Sequence, residues 1–207
     1  MQSSPHFFQK EPKTIAIKFA RLVSDFISPP VVYAVMGFLL AWYALPTLEG
    51  VVWGAFYGFF ISLVPVLYVL YLYRVGRVRD MHMSDIRQRR IPYLISIVGA
   101  VIVFGSILTF DGPELLGSLA VSNFIGLTIL WIINFYWLIS SHMASISLAG
   151  LFIMFVFGIQ TVVLVLPLVM LVFWARLVLR RHTPLQLTAG MVVGIFTILF
   201  IILIGLL

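Results

Sequence analysis

Apolar residues in this chain form long unbroken runs separated by short polar breaks, rather than alternating with polar ones. A helix that crosses a membrane needs about 20 mostly apolar residues. Continuous runs favour helices over barrel strands, which alternate in polarity. The runs predict about seven spans: residues 30–48, opened by Pro29 and Pro30; 51–73, kinked at Pro65; 91–110; 115–138; 142–158; 161–179; and 185–206. The stretch 143–180 is too long for one crossing and divides at residues 157–161. Ahead of the first span, Ile15, Phe19, Leu22, Val23, Phe26 and Ile27 recur at helical spacing, with Lys13, Lys18 and Arg21 elsewhere on the turn. This pattern predicts an amphipathic helix lying in the headgroup layer; a soluble cap over the bundle is the other reading. The expected fold is all-α, a polytopic transmembrane bundle. Residues 1–28 form an N-terminal interfacial segment and 29–207 a single transmembrane domain.

Composition agrees. Of 207 residues 62% are hydrophobic and 10% charged, against about 25% charged in a soluble domain. No cysteine is present, which excludes disulfides and thiolate metal sites. The first residues lack the basic segment, short apolar core and small-residue cleavage site of a signal peptide, so the N-terminus reads as mature.

The placement of charge orients the bundle. All 13 Lys and Arg fall in three regions: Lys10, Lys13, Lys18 and Arg21; Arg74, Arg77, Arg79, Arg87, Arg89 and Arg90; and Arg176, Arg180 and Arg181. Seven spans put these regions on one face, while Glu49, Asp111 and Glu114 mark the other. The excess of positive charge predicts a cytoplasmic basic face, with the N-terminus inside and the C-terminus outside. Tyr71, Tyr73, Tyr93, Trp137 and Trp174 mark that interface; Trp42, Tyr43 and Trp53 mark the opposite one.

Three polar clusters share the basic face: residues 74–93, 137–145 and 175–186. Thr183-Pro184 is a helix-start signature, with Thr capping and Pro at the first helical position. His182 then stands just before the last span. Ser140 or Ser141 caps the fifth span and places His142 in its first turn. Helix N-termini favour phosphate, and arginine grips it with a bidentate fork. Two helix starts, two histidines and several arginines outline a phosphate site. Arginines at span ends are also ordinary topology anchors, and the two roles are compatible. Asn123 and Asn134 read as interhelical hydrogen bonders. The small-residue pairs Gly54/Gly58 and Gly190/Gly194 read as packing contacts.

The third cluster resembles the last signature of the type-2 phosphatidic acid phosphatase superfamily, SRxxxxxHxxxD. Here it reads Ala175-Arg176, five residues, His182, three residues, Gln186, with Ala for the serine and Gln for the aspartate. Ile139-Ser140-Ser141-His142 resembles the PSGH signature, and the stretch ending Arg90-Ile91-Pro92 resembles KxxxxxxRP without its lysine. The order of the motifs matches over about residues 74–190, as in a divergent branch with degenerate motifs.

The resemblance implies a metal-independent, cofactor-free hydrolase acting on membrane lipids that carry a phosphate or a prenyl diphosphate. His182 would be the nucleophile, forming a phosphohistidine, and His142 the general acid. Arg176, Arg90 and Arg87 would hold the phosphoryl oxygens, with Ser140 adding a hydrogen bond. Gln186 would orient the nucleophilic imidazole in place of the aspartate, accepting its hydrogen bond without bringing a charge. Either the branch tolerates the glutamine, with Asp25, Asp80 or Asp85 as candidates to supply the charge, or activity is low, or the site binds without turnover. The expected setting is a prokaryotic plasma membrane with the site on the cytoplasmic side, and nucleic acid is not an expected partner. The alternatives are a catalytically silent lipid-phosphate binder of the same fold and a lipid phosphotransferase. A transporter is disfavoured, because the ionisable residues gather at one interface instead of the bilayer midplane.

Overall fold

A computed structural model of the chain describes residues 14–78 and 86–207. Lys10, Lys13, Arg79, Asp80 and Asp85, used in the sequence reading, lie outside them. All regular structure among the described residues is helical. The helices are α1 (Ile15–Phe26), α2 (Pro29–Ala44), α3 (Leu48–Gly58), α4 (Val64–Arg74), α5 (Arg90–Thr109), α6 (Glu114–Ile133), α7 (Ser141–Phe157), α8 (Val162–Val178) and α9 (Pro184–Leu203). A π-helical turn, Phe59–Leu63, joins α3 to α4 in one rod, and 3₁₀ turns at Ile86–Arg89 and Ile159–Thr161 lead into α5 and α8.

Five of these helical rods are long and apolar enough to cross a membrane. A sixth follows if α1 and α2, bent by 47° at the break between them, count as one span. α7, the predicted fifth span, is an apolar helix of 17 residues. α6 ends at Ile133, short of the expected 138, and the chain turns through residues 134–136 before α7.

α7 lies at the centre of the bundle, between α2, α8 and α9. Its sequence suits that place: Ala144, Ser145, Ser147, Ala149 and Gly150 are small and buried, so neighbouring backbones come close. The closest approach is to α9. A Cβ on Gly190 would collide with the Ser140 carbonyl, and one on Gly194 with the Ala144 carbonyl. The Gly190/Gly194 pair is thus an interhelical contact within the chain.

The π-turn has a local cause. Pro65 has no N–H to give the Ile61 carbonyl four residues back. The helix widens there, with Val64 N–H donating to the Phe59 carbonyl, and the Ser96 hydroxyl of α5 donates to the Ile61 carbonyl at 3.3 Å. The neighbouring Tyr57 hydroxyl accepts a hydrogen bond from the Asn123 amide of α6. Asn134 instead bonds within its own helix, to the Leu130 carbonyl at 2.8 Å.

α1 packs along α8. Its small inner face, Ala20 and Val23, meets Ala175 and Leu179, and Phe19 approaches Trp174 with ring centroids 5.9 Å apart. Ile15, Phe19, Leu22 and Phe26 are exposed on the outer face. The sequence reading put Val23 and Ile27 on that outer face too; Val23 is buried and Ile27 half-buried, because the stripe against α8 runs through the small residues Ala20 and Ser24.

Candidate anion site at one end of the bundle

The start of α2, the end of α4 and the starts of α5, α7 and α9 meet the ends of α1, α6 and α8 at one end of the bundle. A cavity of about 310 Å³ opens there. Arg89, His142 and Arg176 line it together with Asp25, Ser28 and Ser141. The rest of its wall is largely apolar: Tyr33 from α2, Ile61, Pro65 and Val69 around the π-turn, and Leu127 and Leu130 from α6. Arg89 and Arg176 are buried, at 7% and 3% exposure. Both guanidiniums have interactions within the protein and share this end of the cavity with the Asp25 carboxylate, so a charged cluster, and with it a candidate anion site, closes an otherwise apolar cavity.

His142 stands in the first turn of α7. Ser140 caps that helix, its hydroxyl accepting from Met143 N–H at 3.3 Å. The ring Nε2 of His142 lies 3.1 Å from the Ser24 carbonyl and 3.5 Å from the Ser24 hydroxyl. Arg176, near the end of α8, donates from Nη1 to the same hydroxyl at 2.7 Å.

His182 lies in the short link between α8 and α9. Arg180 takes a left-handed conformation (φ 49°), and Arg181 N–H returns to the Arg176 carbonyl at 3.2 Å. This closes the end of α8 in the manner of a Schellman turn and brings His182 back over the bundle. His182 is buried, and neither ring nitrogen has a hydrogen bond of good geometry, although the Gln186 side chain and the Leu138 carbonyl lie beside the ring. Burial, then the positive charges of Arg176 and Arg89, push its pKa down to about 3. The imidazole is therefore neutral near pH 7. His142 and His182 also interact electrostatically with each other.

The structure sorts the sequence-nominated residues. Arg176 and His142 line the cavity, while His182 stands behind its wall, within the field of the same two guanidiniums. Ser140 caps α7 and is absent from the cavity wall. Gln186 has a structural job that was not expected: its Oε1 accepts from Thr183 N–H at 2.9 Å, while the Thr183 hydroxyl accepts from Gln186 N–H at 3.3 Å. This reciprocal capping box starts α9 and uses one lone pair of the amide oxygen, while the Gln186 side chain also lies beside His182. Arg90 is also displaced from its expected role: its guanidinium stacks 4.1 Å over the Phe135 ring and is absent from the cavity wall. Arg87 is exposed on the 3₁₀ turn.

The sequence reading missed Arg89 and Ser24. Arg89 had a signal. It begins the buried stripe Arg89, Pro92, Ser96, Gly99 and Val103 of α5 at helical spacing, whereas Arg90 is one step, about 100°, around the turn. Ser24 follows Ala20 by four residues on the inner face of α1, but nothing in the sequence says which helix that face meets. Tyr93, expected as an interface marker, lines the cavity. Asp25 lines it too, as one of the acids considered above. Among the described residues no group of three His, Asp or Glu is arranged to hold a metal ion.

No family model, curated protein or solved structure matches the chain. The superfamily resemblance therefore rests on the quoted residues alone.

Proposed function

We propose that this protein is a membrane-embedded phosphatase of lipid phosphates or prenyl diphosphates, with seven spans and its site at the cytoplasmic face. The observation that carries the reading is the cavity itself: Arg89, Arg176 and His142 at a polar end, and an apolar wall running toward the π-turn. An amphiphile with a phosphorylated head and a hydrocarbon chain matches both ends. The one-sided Lys and Arg distribution supports the orientation.

In this reading Arg89 and Arg176 hold the non-bridging phosphoryl oxygens and stabilise the charge that builds in the transition state. His182, kept neutral, uses a ring-nitrogen lone pair to attack phosphorus once the head group is drawn to it. The bond from phosphorus to the leaving oxygen breaks, and His142, entering the step as an imidazolium paired with the anionic head group, gives a ring proton to that oxygen. Water then attacks phosphorus, the phosphorus–nitrogen bond breaks and returns its electron pair to His182, the now neutral His142 takes the water's proton, and phosphate leaves.

A second reading has support of its own. His182 stands behind the cavity wall, and the Gln186 oxygen is shared with a helix cap and brings no charge. Both favour a silent binder of lipid phosphate. One experiment separates the two: follow phosphate release by purified protein and by His182→Ala, given phosphatidic acid, lysophosphatidic acid and prenyl diphosphates. Release by the native chain that disappears in the variant supports the phosphatase. Binding without release supports the binder, and equal release by both contradicts the mechanism. Acceptor alcohols in the same assay expose a phosphotransferase.

A further inference from the structure

We infer that Ser24, on the N-terminal helix, is a positioning residue for the phosphoryl site: its hydroxyl aims Arg176 and its carbonyl aims His142. The inference rests on the reading of the cavity as a phosphoryl site. α1 thus completes the site, beyond any role as a membrane anchor.

Three observations carry it. The first is connectivity. Arg176 on α8 and His142 on α7 project into one cavity, and both bond to the same residue of a third helix, at 2.7 Å and 3.1 Å. The second is placement. Ser24 is 2% exposed and absent from the cavity wall, whereas His142 and Arg176 belong to it. A residue that blocked the cavity would line it; Ser24 stands behind the two groups it touches. The third is chemistry. A carbonyl only accepts, so the His142 Nε2 must carry the hydrogen, which leaves Nδ1 as the nitrogen for proton exchange with a ligand. Holding one ring nitrogen on an acceptor so that the other can work is the general device that orients catalytic imidazoles. A guanidinium has five N–H donors in a rigid fork. One of them on the Ser24 hydroxyl fixes the plane of the fork.

The hydroxyl is the testable half, because Thr keeps it and Val removes it at equal volume. Orthovanadate binding is measured on the full chain in detergent for the native protein, Ser24→Thr and Ser24→Val, alongside thermal stability and phosphate release. Ser24→Thr is expected to bind vanadate within about threefold of native. Ser24→Val is expected to bind about tenfold more weakly, the weight of one hydrogen bond to a charged group, with a melting temperature matching that of Ser24→Thr. Its pH profile should keep the native shape, because the carbonyl that holds His142 remains. Equal vanadate affinity in the Thr and Val variants would overturn the inference, and so would tighter binding by Val. Vanadate binding without phosphate release in the native protein removes the phosphatase reading yet leaves the Ser24 comparison readable. A native protein that binds no vanadate overturns both.

Discussion

The backbone N–H of Ser140 donates to the carbonyl of Gln186 at 3.1 Å. This one bond ties the start of α7 to the start of α9, the two helix N-termini that stand beside His142 and His182. It forms because Gly190, one turn further along α9, lets the Ser140 carbonyl come close. Gly190→Ala is therefore expected to push the two helix starts apart, at a cost of about 1–3 kcal/mol for an overpacked contact. The loss should appear as a lower melting temperature together with weaker anion binding. Native stability and binding in Gly190→Ala would show that the close approach does not set the site.

Neighbouring arginines should behave differently. Arg89 lines the cavity, whereas Arg90 stacks on Phe135. Arg89→Ala is expected to lower kcat/KM for a lipid phosphate by at least about 100-fold, or roughly 3 kcal/mol of transition-state stabilisation. Arg90→Ala should stay within about threefold and lose only stability, of the order of 1 kcal/mol for a cation–π contact. The reverse ranking would return the sequence-based choice of Arg90 to the site.

Stability should depend on pH through His182. Its folded pKa, about 3, lies below the ordinary value of 6.5. Between those values the unfolded chain binds a proton that the folded chain excludes. Stability is thus unaffected above about pH 6.5 and falls as pH drops from there toward 3. Melting curves in detergent at pH 7, 6, 5 and 4 should show a steeper acid loss for the native chain than for His182→Gln, which cannot take up the proton. Parallel curves would place His182 in a more solvated setting.

Much of the bundle was legible in the sequence, because apolar run length and turn chemistry are local properties. Helices occupy most of each predicted run, although α2 and α6 end several residues early, and Thr183-Pro184 does start α9. The capping role of Gln186 was readable too, since Thr183 with Gln three residues on is the pattern of a capping box. Arg89 was legible by helical phase. Ser24 was not, because its partners lie 118 and 152 residues away in sequence and are set by how α1 folds back on α8. Nor could the sequence place His182 behind the cavity wall, which depends on the left-handed turn at Arg180.

Orientation can be tested cleanly because the chain has no cysteine. A single cysteine at Arg77, at the site end, is expected to resist an impermeant maleimide in intact cells and to react after permeabilisation. One at Glu49, at the other end, should react in intact cells. Swapped reactivities would invert the bundle and move the site to the outer face.

The central claim is that the polar end of the cavity receives the phosphoryl group of a lipid. An experimental structure of the protein with a non-hydrolysable lipid phosphonate tests it most directly. The expected result places the phosphonate oxygens within about 3 Å of Arg89, Arg176 and a ring nitrogen of His142, with the chain running past Tyr33 toward Ile61 and Val69. A phosphonate bound elsewhere, or no bound lipid at saturating concentration, would contradict the account.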